Sequence, residues 1–72
     1  MKMVDVESSM ISSVGYDKAT KVLHVLFNSG ALWAYTDVPK KVYDELLASE
    51  SKGSYMRNFV IGEYPEGRIG RR

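Results

Sequence analysis

Two apolar runs joined by a short polar loop dominate the pattern of hydrophobic and polar positions. They span residues 22–35, with the sequence VLHVLFNSGALWAY. A three-residue loop that ends in glycine is a common hairpin connection, because glycine adopts a positive φ readily. The loop here is Asn28-Ser29-Gly30. The pattern therefore predicts a β-hairpin with strands over residues 22–27 and 31–35.

The predicted hairpin has two faces, and both are apolar. In an antiparallel pair the positions of facing residues sum to a constant, so this loop places Val25 opposite Trp33. The same face contains the bulkiest residues of the hairpin, which are Leu23, Phe27, Trp33 and Tyr35. We expect helices to cover that face. The other face contains Val22, His24, Leu26, Leu32 and Ala34. Because a small domain has few elements to cover it, we expect Val22, Leu26 and Leu32 to form a homo-oligomer interface.

A weaker strand precedes the hairpin. Residues 10–16, MISSVGY, alternate in polarity and contain small polar side chains, which favours an edge strand. In this pattern Ile11 lies on the face opposite Val14. Asp17 is a good turn residue and leads the chain into the hairpin. The result is a three-stranded antiparallel meander, and we expect residues 1–9 to be loosely held.

Helical spacing begins after the hairpin. Pro39 suits the first turn of a helix, and Asp37 can cap it. The apolar stripe of this first helix is Val38, Val42, Tyr43, Leu46 and Leu47. A second helix is predicted from Ser54, a good N-cap, with the apolar residues Tyr55, Met56, Phe59 and Val60. The sequence therefore predicts an α+β domain in which a three-stranded antiparallel β-meander is followed by two short amphipathic helices packed on one face.

Length and charge restrict the class of protein. Seventy-two residues make a single domain near the lower size limit. The net charge is only +1, but residues 52–72 contain five of the ten basic residues and two of the nine acidic ones. We expect residues 65–72 to form a basic C-terminal tail. The chain has no cysteine, which excludes a disulfide framework and a thiolate metal site.

Targeting signals are missing from the pattern. The N-terminal residues lack the apolar run of a signal peptide, and no later stretch approaches the length of a membrane span. We therefore expect a cytoplasmic protein that does not bind a membrane.

Several short motifs together resemble the KTSC domain over residues 9–64. They are Gly15-Tyr16-Asp17, Leu23-x-Val25-x-Phe27, Trp33-x-Tyr35, Val38-Pro39, Tyr43 and Ser51-Lys52-Gly53-Ser54-Tyr55. The KTSC domain is a short module found at the C-terminus of some lysyl-tRNA synthetases and also as a lone small bacterial or phage protein. RNA binding has been suggested for this family, so the resemblance makes RNA one candidate ligand. Arginine in the family's Ile-Arg step is replaced here by Ile61, which removes one expected phosphate contact.

The segment 51–57 is the first candidate site. Free backbone N–H groups at a helix N-terminus attract anions, and Gly53 would let a phosphate approach the backbone. The predicted ligand-binding residues here are Ser51, Lys52, Gly53, Ser54, Tyr55 and Arg57. The spacing is not that of a P-loop. The alternative is an ordinary turn between helices in which a serine caps the second helix.

Aromatic and basic residues supply the second part of the candidate site. Trp33 and Tyr35 could stack nucleobases, although the alternative is that both belong to the core. Guanidinium groups of the predicted tail, from Arg68, Arg71 and Arg72, could close the site on phosphates. His24 has no neighbouring ligand type, so we expect a structural histidine, no metal site and no cofactor.

The sequence contains no recognisable catalytic constellation, so it predicts a binding protein and not an enzyme. The favoured hypothesis is a phage-type sponge that sequesters a cyclic nucleotide immune signal. Its partner would be a nucleotide-type small ligand held between subunits. The alternatives are a module that binds tRNA or single-stranded RNA, and a structural or interaction domain that binds no nucleotide.

Overall fold

The structure is a computed structural model that describes residues 3–71, with side chains described as far as Gly70. Five strands, two α-helices and a π-helix make up this part of the chain. The elements are β1 (Val4–Asp5), β2 (Ile11–Asp17), β3 (Val22–Phe27), β4 (Ala31–Tyr35), α1 (Lys40–Ala48), α2 (Lys52–Tyr55), a π-helix (Met56–Val60) and β5 (Glu66–Arg71). The strands form an antiparallel sheet in the order β1-β2-β3-β4-β5. The predicted α+β class is confirmed, but the sheet has five strands and not three.

The β3–β4 hairpin has the predicted register. Val25 pairs with Trp33, and Leu23 pairs with Tyr35. The loop closes through Gly30, whose φ is 95° and whose N–H donates to the carbonyl of Phe27 at 2.9 Å. Local signals were sufficient here because the glycine fixes the turn and the alternation fixes the faces.

Strand β2 differs from the prediction in two respects. It lies between β1 and β3, so it is not an edge strand. The pairing with β3 shifts between Ile11 and Ser13, where an irregularity adds a residue to β2. A bulge of this kind changes the alternation of faces. Ile11 therefore lies in the buried core with Val14, and the prediction that placed them on opposite faces was wrong.

The two additional strands come from segments predicted to be a loose N-terminus and a basic tail. Strand β1 pairs Val4 with Val14. Strand β5 pairs along the whole of β4, from Glu66 opposite Tyr35 to Arg71 opposite Ala31. The β5 sequence EGRIGR has two glycines and three charged residues, which give it a low intrinsic strand propensity. Its conformation depends on pairing with β4, which composition alone does not reveal.

The core lies between the sheet and the helices. Its buried residues are Ile11, Val14, Leu23, Val25, Tyr35, Val38, Leu46, Met56 and Val60. Those of β3 and β4 belong to the face predicted to receive the helices. The other face contains Leu26, which is buried beside Ser13. The helices therefore cover the bulkier face of the hairpin.

Both helices begin at positions other than those predicted. Helix α1 starts after Pro39, which occupies the N-cap without a side-chain cap, and Asp37 has a positive φ of 59°. Helix α2 starts at Lys52 and continues into the π-helix, whose wider turn is closed by the Ile61 N–H on the Met56 carbonyl at 2.7 Å. Ser54 is therefore inside the helix. Neither helix in the described part of the chain is long and apolar enough to cross a bilayer.

Burial predicts unequal contributions from two neighbouring leucines of α1. Leu46 is fully buried in the core, whereas Leu47 is only partly buried. We expect Leu46→Ala to lower the free energy of unfolding by about 2–5 kcal/mol, because the lost side chain leaves a cavity. Leu47→Ala is the matched control and should cost clearly less. Urea denaturation of both variants measures the difference, and equal losses would contradict the described core.

Close packing of α2 on the N-terminal segment gives a second prediction. A Cβ added to Gly53 would lie 3.3 Å from both Cβ and Sδ of Met10, whereas one added to Gly67 would meet nothing within 4 Å. We expect Gly53→Val to destabilise the protein by about 1–3 kcal/mol through overpacking. Gly67→Val is the control with open space, and thermal unfolding should show little loss. A tolerated Gly53→Val would mean that α2 does not pack on Met10.

Candidate functional site

A groove opens on the helix-bearing face of the sheet, beside the end of the π-helix. Its cavity volume is about 480 Å³. Phe27, Ala31 and Trp33 of the hairpin line it, together with Ile61, which follows the π-helix. The buried core takes its strand residues from β2, β3 and β4, and Trp33 of β4 packs against this core without belonging to it. Trp33 is accordingly only partly buried.

The hairpin loop holds one wall of the groove in place. The Asn28 side-chain amide donates to the carbonyl of Ser8 at 3.0 Å, and its oxygen accepts from the Ser12 hydroxyl at 2.6 Å. The Asn28 N–H also donates to the Met10 carbonyl at 2.9 Å. These three hydrogen bonds tie the loop to Ser8 and Met10, which precede β2, and to Ser12 within β2. Met10 also lines the groove. Asn28 therefore both ends the hairpin strand and shapes the cavity.

Strand β5 brings charged residues to the groove. The register places Arg68 opposite Trp33 and Glu66 opposite Tyr35, and both charged side chains are exposed. Cross-strand partners share a face of the sheet, so Arg68 and Glu66 lie on the face that contains the groove. Glu66 lines the cavity itself. The groove thus combines an apolar floor, one carboxylate in its lining and a guanidinium beside it.

Two further arginines of the predicted tail were expected to contact the ligand, and the structure describes one of them. The register pairs Arg71 with Ala31, which lines the groove. Arg72 lies outside the described residues. The structure therefore brings Arg68 and the backbone of Arg71 to the groove.

Tyr35 does not suit the stacking role proposed for it. Only 2% of the residue is exposed, so its ring offers no face to a nucleobase. Burial, with the neighbouring charge of Glu66, raises the pKa of Tyr35 to about 12, and the hydroxyl stays protonated at neutral pH. Tyr35 is a core residue that forms the end of the groove, as the alternative interpretation expected.

The predicted phosphate site at residues 51–57 is built differently from the expectation. A Cβ added to Gly53 would lie against Met10, so glycine at this position lets α2 pack closely on that residue. The Ser51 hydroxyl donates to that of Ser54 at 3.0 Å. The Lys52 ammonium donates to the Ser49 carbonyl at 3.0 Å. This segment does not line the groove, although Met10 contacts both.

Tyr55 and Arg57 follow on the same helical segment, where Tyr55 is partly buried against the core. The Tyr55 hydroxyl donates to Glu45 Oε1 at 2.7 Å, and burial together with this bond raises the pKa of Tyr55 to about 12. Arg57 is exposed. Phe59 is 56% exposed, which the sequence did not indicate. Helical spacing predicted that Phe59 belongs to the apolar stripe, and no pattern in the sequence predicted the π-helix.

The predicted oligomer interface lies on the opposite face of the sheet. Val22 and Leu32 are partly buried there, and Leu26 is 6% exposed. The interface stays a prediction. On the same face, partial burial of His24 lowers its pKa. Within residues 3–71, no three His, Asp or Glu side chains are grouped as metal ligands would be.

Comparison with known proteins places this architecture in a family. The sequence profile of the KTSC domain matches residues 7–64. A protein of Tsukamurella paurometabola is 45% identical over 58 residues, which cover 81% of this chain and 87% of that protein. A lysine–tRNA ligase of Nostoc sp. is 36% identical over 58 residues, which cover 81% of this chain but 10% of the ligase.

A solved structure agrees with the sequence comparisons. The crystal structure of a KTSC domain protein from Yersinia pestis superimposes with a TM-score of 0.93 and 28% sequence identity, covering 96% of this chain and 97% of that one. The order of strands and helices, the short motifs and these likenesses lead to one conclusion. This chain belongs to the KTSC domain family.

Proposed function

We propose that this chain is a non-enzymatic nucleotide-binding protein whose groove holds a nucleobase against Trp33. The observation that carries the proposal is a partly buried tryptophan in a groove of about 480 Å³, with Arg68 paired beside it. Small-ligand sites commonly have volumes of about 300–1,000 Å³ and are mostly apolar with a few polar groups. The groove has both properties.

The lining supports a base and a phosphate in separate places. A nucleobase stacked on an aromatic side chain gains about 1–3 kcal/mol. The Glu66 carboxylate can accept hydrogen bonds from the N–H groups on the edge of such a base. Arg68 lies next to Trp33 and can hold the attached phosphate through its two-pronged guanidinium. We therefore place the base over Trp33 and the phosphate toward β5.

The narrower form of the proposal is a phage-type sponge, in which the ligand is a cyclic nucleotide immune signal that the protein sequesters. Two features support it. The groove has the size of a small-ligand site. The Tsukamurella paurometabola relative is covered over 87% of its length by the match, so it consists of little more than this domain. A sequestering protein needs a binding site and no further domain.

The second candidate is a module that binds tRNA or single-stranded RNA. The similarity to a lysine–tRNA ligase of Nostoc sp. favours it, because the name of that relative identifies a tRNA as its substrate. The concentration of basic residues in 52–72 also suits a polyanion. On this alternative the groove receives an unpaired base of the RNA.

Fluorescence of Trp33, the sole tryptophan of the chain, tests the proposal directly. Cyclic dinucleotides, cyclic trinucleotides and short single-stranded RNAs are titrated at low and high salt. We expect saturable quenching, because a base stacked on the indole alters its emission. If the quenching hardly depends on salt concentration, the ligand is the small nucleotide. If the quenching weakens steeply as salt rises, the ligand is RNA. A folded protein whose emission no nucleotide changes would overturn the proposal.

Charge variants locate the site. Arg68→Gln should weaken binding, whereas Lys41→Gln makes the same charge change on an exposed position of α1, away from the groove, and should have little effect. If Lys52→Ala abolished binding while Arg68→Gln did not, the ligand would lie at residues 51–55 and the groove assignment would be wrong.

A further inference from the structure

The π-helix presents an exposed aromatic side chain to solvent. Its first and last residues, Met56 and Val60, are buried, and the three residues between them are exposed. These are Arg57, Asn58 and Phe59. More than half of Phe59 is accessible, at 56%. The π-helix is therefore buried at its two ends, and it exposes a cation, an amide and an aromatic ring at three consecutive positions.

Neighbouring groups hold the Phe59 ring in place. The centroids of the Tyr55 and Phe59 rings lie 4.9 Å apart with an interplanar angle of 36°. Tyr55 is itself fixed by its hydrogen bond to Glu45 of α1. The exposed ring thus rests on a second ring that is anchored to the neighbouring helix. An aromatic side chain restrained in this way loses little conformational entropy when a ligand stacks on it.

The exposed ring is close to the groove along the chain. Ile61 lines the groove and follows Phe59 by two residues. An extended chain spans at most about 3.3–3.6 Å per residue, so their Cα atoms are separated by at most about 7 Å. This separation is comparable with the spacing of neighbouring nucleotides in an extended strand.

We propose that Phe59 is a second base-stacking position and that the ligand is a single-stranded RNA segment. One base occupies the groove at Trp33, the strand passes Ile61, and a further base stacks on Phe59. Arg57 contacts a phosphate of the same strand. This inference rests on the proposed nucleotide-binding function, and it selects RNA, the second candidate given above, over the cyclic nucleotide of the sponge.

The openness of this second position favours a strand over a small ligand. Small-molecule sites bury roughly 70–90% of the ligand surface, which an exposed ring on a convex helix cannot do. Proteins that bind single strands combine exposed aromatic side chains with cations that track the backbone. Arg57, which is exposed on the same π-helix, supplies such a cation.

Comparing a short single-stranded RNA with a nucleoside monophosphate tests the inference. Both are titrated against the wild-type protein and Phe59→Ala, with Trp33 emission as the readout. We expect Phe59→Ala to weaken RNA binding by about tenfold to a hundredfold, as expected for the loss of one stacked base. Monophosphate binding should be unchanged, because the groove alone receives it.

Three further variants control the experiment. Phe59→Tyr keeps the aromatic face and should retain RNA binding, and it guards against a folding defect in the alanine variant. Ile69→Ala changes another exposed apolar residue, 52% accessible on β5, and should have no effect. Arg57→Gln should reduce the slope of log affinity against log salt by about 0.7, the value for one contact to a single strand.

The outcomes separate this inference from the proposed function. Unchanged RNA affinity in Phe59→Ala, with quenching intact, would overturn the second stacking position and leave the groove standing. Loss of cyclic dinucleotide binding in Phe59→Ala, without loss of RNA binding, would overturn the choice of RNA. An effect of Phe59→Ala on self-association, measured by light scattering, and none on RNA would assign Phe59 to a protein contact. Failure of every nucleotide to quench Trp33 would overturn both proposals.

Discussion

Burial of one face of the β3–β4 hairpin beneath the helices is the constraint on which the rest of the structure depends. Leu23 and Val25 lie in the same buried cluster as Leu46 of α1 and the two buried residues of the π-helix. The helices bury the core residues of the sheet, and Trp33 packs against that core while it stays partly buried. The groove lies beside this buried core, so the candidate site depends on how the helices pack on the hairpin.

The packing of the helices on the hairpin also explains which side chains line the groove. Trp33 pairs with the buried Val25 and packs against the core, but it is itself only partly buried. The Asn28 hydrogen bonds fix the segment that forms the opposite wall. Strand β5, which has little tendency to be a strand by itself, adds Arg68 through its pairing with β4. The packing of Trp33, the hydrogen bonds of Asn28 and the pairing of β5 with β4 thus all shape the same cavity.

Local chemistry determined what the sequence could predict. The hairpin register followed from the glycine loop and the alternation around it, and the helical stripe was found from spacing. Strand β5 was not found because its pairing partner, and not its composition, makes it a strand. The exposure of Phe59 depends on a π-helix that spacing does not signal. Trp33 and Arg68 were both candidates, but only the register showed that they are neighbours.

The central claim is that a base lies in the groove between Trp33 and Ile61. Two-dimensional ¹H–¹⁵N NMR of the labelled protein during titration with a short single-stranded RNA tests it most directly. The account predicts that the Trp33 indole N–H and the amides of Phe27, Ile61 and Arg68 shift together and saturate together. Shifts confined to residues 51–55, or to His24 and Leu32 on the opposite face, would contradict it.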